Sequence, residues 1–248
     1  MSTNEQRSTF TVCVEGNIGS GKSTLLKHFE KYEDVEVLQE PVEKWRNVRG
    51  NNLLDLMYKD PCRWAHLFQT YVQMTMLELH VQPSSSPVKI LERSLFSARN
   101  CFVENLYRSG KLADPEYNVY CEWYKMITNH LKVKVDLIVY LRTDPNVTHE
   151  RIAKRSRTEE SAIPLEYLQS LHSLHEEWLI EKKFELPAPV LVLDANQDLP
   201  TMYKKFEEFA PEILCRNLLN STSEVKVSSE PESPVKSPTK KPTALSNS

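Results

Sequence analysis

The chain has 248 residues, a net charge of −3 at pH 7 and 40% hydrophobic residues, which suits one sizeable core with at most a polar tail. That balance gives no global electrostatic reason for nucleic-acid binding, and the longest apolar runs are strand-sized, too short for a membrane-spanning helix. Five scattered cysteines (Cys13, Cys62, Cys101, Cys121, Cys215) without a CxxC pair read as reduced intracellular thiols and exclude a disulfide framework or a zinc site.

The opening MSTNEQRSTF has no apolar run and carries Glu5 beside Arg7, unlike a secretory signal or an Arg-rich mitochondrial presequence, so a cytosolic or nuclear protein is expected. FTVCVE (10–15) is short, apolar and strand-like. It runs into Gly16-Asn17-Ile18-Gly19-Ser20-Gly21-Lys22-Ser23, which fits G-x-x-x-x-G-K-[ST] at every constrained position, and then into the helix-like TLLKHFEKY. Strand, loop and helix in that order are the context of a P-loop, with Thr24 continuing the phosphate site. Three of the chain's five glycines lie here, where they let backbone N–H groups converge on phosphate oxygens. Lys22 supplies a charge near the β and γ phosphates, and Ser23 offers a hydroxyl to Mg²⁺.

VEVLQ (35–39) is the second predicted strand, followed by Glu40-Pro41-Val42-Glu43-Lys44-Trp45. In a parallel sheet the carboxyl end of such a strand opens into the ligand crevice. A carboxylate there can accept a proton from an attacking hydroxyl, and Trp45 can close one side of an aromatic slot. Taken singly, Glu40 is more often a solvated strand-end residue. Asp60 and Pro61 look like a helix start. Trp64, Leu67, Phe68, Tyr71, Val72 and Met76 then fall at helical spacing, a stripe that reads first as core.

VKILE (88–92) is the third strand, and Glu92-Arg93-Ser94 stands at its carboxyl end. An acid in that place can hold Mg²⁺ or its waters, and an arginine can pair with a carboxylate or stabilise phosphoryl charge. A strand-end salt bridge is the equal alternative. VDLIVYL (135–141) is the fourth strand, and Arg151, Arg155 and Arg157 follow in RIAKRSRTEE. Arg151 and Arg155 share a helix face and suit a lid over a transferring phosphate, although a solvated charge run is the usual explanation. The stretch 164–182 is an amphipathic helix, and VLVLD (190–194) the fifth strand. From Asn220 the chain turns Ser-, Pro- and Lys-rich and is expected to be disordered. Ser233-Pro234 and Ser237-Pro238 are candidate phosphosites and Lys240-Lys241 a weak import signal, with a plain solvated tail as the simpler reading. Residues 1–9 are therefore a flexible start, 10–219 one α/β domain with a five-stranded parallel sheet covered by helices on both faces, and 220–248 a tail.

GNIGSGKS, EPVEKWRNV, FQTYV, ERSLFSARNCFVEN and RIAKRSRTEES, in this order, closely resemble the deoxyribonucleoside kinases, most of all their insect multisubstrate members. The resemblance spans roughly residues 10 to 200. It implies a P-loop kinase fold with an arginine-rich lid, ATP and Mg²⁺, a deoxynucleoside acceptor with pyrimidines preferred and purines accepted, and a homodimer without nucleic-acid or membrane partners. By the same resemblance Glu40 is the base for the 5′-hydroxyl, with Arg93 and Lys22 at the transferring phosphoryl and Ser23 and Glu92 serving Mg²⁺. Gln69 hydrogen-bonds the base edge, and Phe102 and Trp45 pack the base between them. A side-chain amide carries both donor and acceptor, so turning it suits different bases. Tyr58 and Glu160 match the pair that binds the 3′-hydroxyl. Leu54, Met57, Phe68, Val72, Met76, Ala98 and Leu106 line the base pocket, while Trp64, Leu67 and Tyr71 stay core candidates. At Leu106 the insect members carry a flexible methionine, which puts fine preference in question. Two other readings stay open, a nucleoside-monophosphate kinase and a non-catalytic nucleotide-binding regulator.

Overall fold

A computed structural model describes residues 9–155 and 163–215. Strand β1 (Phe10–Glu15) is buried from Thr11 to Glu15, as a strand with neighbours on both edges and helices on both faces must be. Between β1 and β2 (Val35–Leu38) lies α1 (Lys22–Phe29). Three helices, α2 (Val42–Arg46), α3 (Leu53–Lys59) and α4 (Pro61–Val81), then lead to β3 (Val88–Glu92). A short turn α5 (Leu95–Ser97), a wider π-helical stretch (Ala98–Val103), α6 (Glu104–Arg108) and α7 (Asp114–His130) precede β4 (Leu137–Arg142). The described chain closes with α8 (Pro145–Arg155), α9 (Leu165–His175), β5 (Val190–Asp194) and α10 (Leu199–Ile213).

The five described strands are all parallel, in the order β2-β3-β1-β4-β5. All five predicted strands are therefore present. β4 starts later than the predicted Val135, because Asp136 Oδ2 accepts the Thr11 N–H at 2.7 Å and the Asp136 N–H reaches Thr11 O at 2.8 Å, so the chain joins the sheet through that residue. The strand order turns back at β1, and there the carboxyl ends of β1, β2 and β3 open into one crevice.

One sheet face is covered by α1 and α10, around Val12, Val14, Leu26, Phe29, Val139 and Phe206. The other carries α9, with Ile138, Tyr140, Leu168, Leu171 and Trp178. A third cluster joins Trp45, Met57, Phe68, Val72, Met76 and Ala98 beyond the sheet edge. Asp60 caps α4 by accepting the Arg63 N–H, with Pro61 in the first turn, as the sequence predicts. The helix predicted over 164–182 runs α-helically to His175 and then as a wider turn to Ile180, where the Glu181 N–H closes on Glu176 O.

Leu67 departs from the expected core, being 46% exposed. It stands one residue off the Phe68–Val72–Met76 stripe, and that rotation of about 100° sends it outward with Thr70 and Met74. Trp64 and Tyr71 are half-buried at the margin of the third cluster. Among the described residues no helix is long and apolar enough to cross a membrane. The predicted tail and its phosphosites, and the predicted start up to residue 8, lie outside the described residues.

Candidate active site

The loop after β1 needs its glycines. Gly16 and Gly19 have φ of +141° and +79°, and a Cβ on either would come within 2.9 Å of a backbone oxygen, Leu141 O or Thr148 O. Gly21, at φ +99°, caps α1 without a side-chain bond, and no acidic residue stands in the first turn. The N–H groups at this helix start are thus left for an anion. Lys22 Nζ donates to Gly16 O at 3.1 Å and Asn17 O at 2.7 Å. Burial, and after it the Arg93 charge, pushes its pKa down to about 7, a cost that a bound triphosphate would reverse. Ser20 Oγ is buried without a partner in the same loop.

Within the predicted phosphate loop the Asn17 side chain has its own partners, which leaves only its backbone for phosphate. Its Nδ2 donates to Leu168 O at 2.8 Å and its Oδ1 accepts the Ile18 N–H at 2.9 Å. With both polar atoms engaged, the side chain braces the loop against α9 and stays off the cavity wall. Gly16 likewise acts through backbone shape and its carbonyl, while Ile18, Gly19, Ser20, Gly21, Lys22, Ser23 and Thr24 line the cavity.

Across from the loop, Arg93 Nη1 donates to Glu40 Oε2 at 2.7 Å. Arg93 has φ +63°, a left-handed conformation that costs a non-glycine residue about 1–3 kcal/mol and gathers at functional sites. Its own N–H still pairs with Val14 O at 2.9 Å, and Ser94 caps the next turn by accepting from the Phe96 and Ser97 N–H groups. The turn aims the guanidinium across the strand ends, 4.9 Å over the Phe102 ring. Burial pushes the Glu40 carboxyl above its ordinary range, with Arg93 opposing that shift. Beside them Ser23 Oγ donates to Glu92 Oε1 at 2.8 Å. A hydroxyl and a carboxylate side by side at a P-loop are an oxygen donor set that fits Mg²⁺.

One cavity of about 700 Å³ joins these groups to the third cluster. Its acceptor end is walled by Trp45, Leu54, Met57, Tyr58 and Phe68, and by Gln69, Val72, Met76, Ala98 and Phe102. The Trp45 ring meets Phe68 edge-on at 5.7 Å and is pinned by Nε1 donating to Thr75 Oγ1 at 2.8 Å. Gln69 is 3% exposed and its Oε1 has no partner, the condition of an amide that awaits a ligand. Leu106, expected at the pocket, is buried with Ala65, Val103, Leu112 and Tyr120, behind the residues that line the cavity. The Lys111 and Leu112 N–H groups both close on its carbonyl, so Leu112 folds over it as α6 ends.

A triphosphate loop, a carboxylate–arginine pair and an apolar slot ending in a buried amide share this cavity, and the family model described as deoxynucleoside kinase matches residues 12–233. The chain belongs to the deoxynucleoside kinase family. Human mitochondrial thymidine kinase 2 is 53% identical over 211 residues, covering 85% of this chain and 80% of its own length. Deoxycytidine kinase 2 of Gallus gallus is 38% identical over 233 residues, covering 82% and 88%. Mitochondrial deoxyguanosine kinase of Xenopus laevis is 34% identical over 227 residues, covering 80% and 86%. The protein is therefore an ATP-dependent phosphotransferase.

The donor end of the kinase cavity is where sequence reasoning fell short. Lys27, Gln197, Asp198, Leu199, Met202, Tyr203 and Phe206 line it, as does Tyr167 nearer the centre. The stripe 199, 202, 203, 206 on α10 has the spacing of ordinary core packing, which hides this wall in the sequence. Arg151 donates from Nη1 to Ala195 O at 2.9 Å and from Nη2 to Gln197 O at 2.8 Å, so it braces this loop while lining the cavity with Arg155. Arg157 and Glu160 lie outside the described residues.

Proposed function

We propose that the kinase transfers the ATP γ-phosphoryl to the 5′-hydroxyl of deoxynucleosides, with pyrimidines preferred and purines accepted, as a step of nucleotide salvage. The observation that carries this reading is the Glu40–Arg93 pair, which faces the P-loop across a cavity whose far wall is the Gln69 slot. Glu40 accepts the 5′-hydroxyl proton as the oxygen attacks the γ-phosphorus and the bond to the ADP oxygen breaks. Arg93 holds the Glu40 carboxylate through one N–H and meets the transferring phosphoryl with the others. Lys22 and the loop N–H groups hold the β and γ phosphates, and Arg151, Arg155 and Arg157 cover them. Ser23 and Glu92 are the residues to hold Mg²⁺, which when bound supplies charge neutralisation between the β- and γ-phosphates.

On the acceptor side Gln69 presents its amide to the base edge, between Trp45 and Phe102. Tyr58, with Glu160, holds the 3′-hydroxyl, and packing of the tyrosine against the sugar disfavours a 2′-hydroxyl. Neighbouring helices α4 and α7 expose Leu67 and Met74, and Val119, Trp123 and Met126. Apolar surface of that kind supports a homodimer, which sedimentation tests. Cytoplasmic or nuclear placement rests on the five free thiols, and imaging the full chain against a mitochondrial marker decides it.

The deciding assay is kcat/KM with Mg-ATP for four deoxynucleosides, uridine and thymidine monophosphate. Thymidine and deoxycytidine should lead. Faster turnover of the monophosphate, or strong uridine phosphorylation, would overturn the acceptor assignment.

A further inference from the structure

Beneath the reacting groups lies an acid that phosphoryl transfer does not use directly. Glu15 is the last residue of β1, immediately before Gly16, and is 0% exposed. Its Oε1 accepts the Ser94 hydroxyl at 2.5 Å, while Oε2 is buried with no partner. Burial pushes the carboxyl up to about 7 in spite of Ser94, Ser97 and the charges of Arg93 and Lys22. A carboxylate placed so costs folding free energy, and an apolar side chain of like length would fill the space without that cost. Something other than packing accounts for it.

We propose that Glu15 is a positioning residue for phosphoryl transfer, tying the strand that carries the P-loop to the turn that aims Arg93. The connection is short. Gly16, next to Glu15, gives its carbonyl to Lys22. On the other side Ser94 follows Arg93, whose left-handed backbone needs its neighbours to hold it. Ser94 uses its oxygen to cap α5, so its hydroxyl proton is left for Glu15. Donor loop and acceptor arginine are thereby fixed to one carboxylate, and a misplacement of about 1 Å at reacting groups can cost roughly 100-fold in rate.

The inference rests on the roles given to Arg93 and Glu40, so the test includes Glu40→Gln. Steady-state kinetics with thymidine and Mg-ATP and thermal melts are run on the full chain with Glu15→Met, Glu15→Gln and Ser94→Ala. Glu15→Met removes the acceptor and should lower kcat roughly 10- to 100-fold, with both KM values within about threefold and Tm equal or higher. Glu15→Gln keeps an acceptor oxygen and should recover most of kcat. Ser94→Ala should resemble Glu15→Met, and the double variant should be no worse than the poorer single one. Should Glu15→Met not fold, Ser94→Ala with Glu15→Gln carries the same comparison. Glu15→Met with kcat within about threefold of wild type, a loss that Glu15→Gln shares in full, or multiplicative losses would overturn the proposal. If those hold while Glu40→Gln is crippled, only the Glu15 role falls. A fully active Glu40→Gln overturns the acceptor assignment on which it rests.

Discussion

Arg93 gives Glu40 one N–H, from Nη1 at 2.7 Å, and keeps Nε and Nη2 buried without a protein partner. An unpartnered buried donor costs about 1–3 kcal/mol, more when charged, so the arginine is poised for oxygens that arrive with substrate. This division of one guanidinium between base and phosphoryl makes Glu40→Gln informative. Gln keeps the shape but is not a base, so kcat should fall by roughly 10²–10⁴-fold, the usual worth of a general base. Thymidine binding, measured by calorimetry, should persist. Near-normal turnover would remove Glu40 as the base.

The sheet and the P-loop were legible because each has a local signature. VKILE and VLVLD are apolar runs of strand length, and the loop has an invariant spacing. Glu40 and Glu92-Arg93 were legible because a parallel sheet puts strand ends at the ligand. What was not legible depends on which way a residue faces. Leu67 and Phe68 are adjacent in sequence, yet one is exposed and the other walls the cavity. Asn17 sits inside the motif but spends its amide on Leu168 O, a partner far along the chain. Tyr203 carries the pattern of core and is exposed on the donor wall, and Leu106 carries that of the pocket and is buried with Val103 and Tyr120.

Two glycines of the loop should respond differently to alanine. At Gly19 the new Cβ would lie 2.9 Å from Thr148 O, whereas at Gly21 it meets nothing within 4 Å. Both positions carry positive φ, which costs a substituted residue about 1–2 kcal/mol. Gly21→Ala should bear that strain alone. Gly19→Ala adds a backbone collision that must shift the loop or α8, so its ATP affinity should fall at least about tenfold further. Equal ATP affinities by nucleotide titration would count against the packing argument.

Gln69 should govern affinity for the base more than the chemical step. Gln69→Leu removes the amide from a slot that stays apolar, leaving the base edge without a partner. The loss of about 1–3 kcal/mol corresponds to roughly 5- to 150-fold in kcat/KM for thymidine. Most of it should appear in KM, because the base contact is the same in ground and transition states. A loss confined to kcat would place Gln69 nearer the reacting groups than the cavity does.

His175 should make stability fall in acid. Its Nδ1 lies 2.7 Å from Leu171 O, its ring is stacked on Tyr140 at 6.0 Å, and Nε2 has no partner. Burial pushes its pKa down from 6.5 to about 3. The unfolded chain therefore takes up a proton at this residue from about pH 6.5 downward while the folded one does not, and stability present above pH 6.5 is lost as pH falls. Between pH 7 and pH 5 that loss is about 2 kcal/mol. Glu15 has the opposite sign, because its raised carboxyl binds a proton in the folded state first. The absolute pH profile therefore mixes the two, and the difference between variants isolates one. His175→Phe keeps an aromatic ring on Tyr140 and should lose about 2 kcal/mol less than wild type between pH 7 and pH 5 in urea melts. An identical pH response in the two proteins would mean that His175 does not stay neutral in the fold.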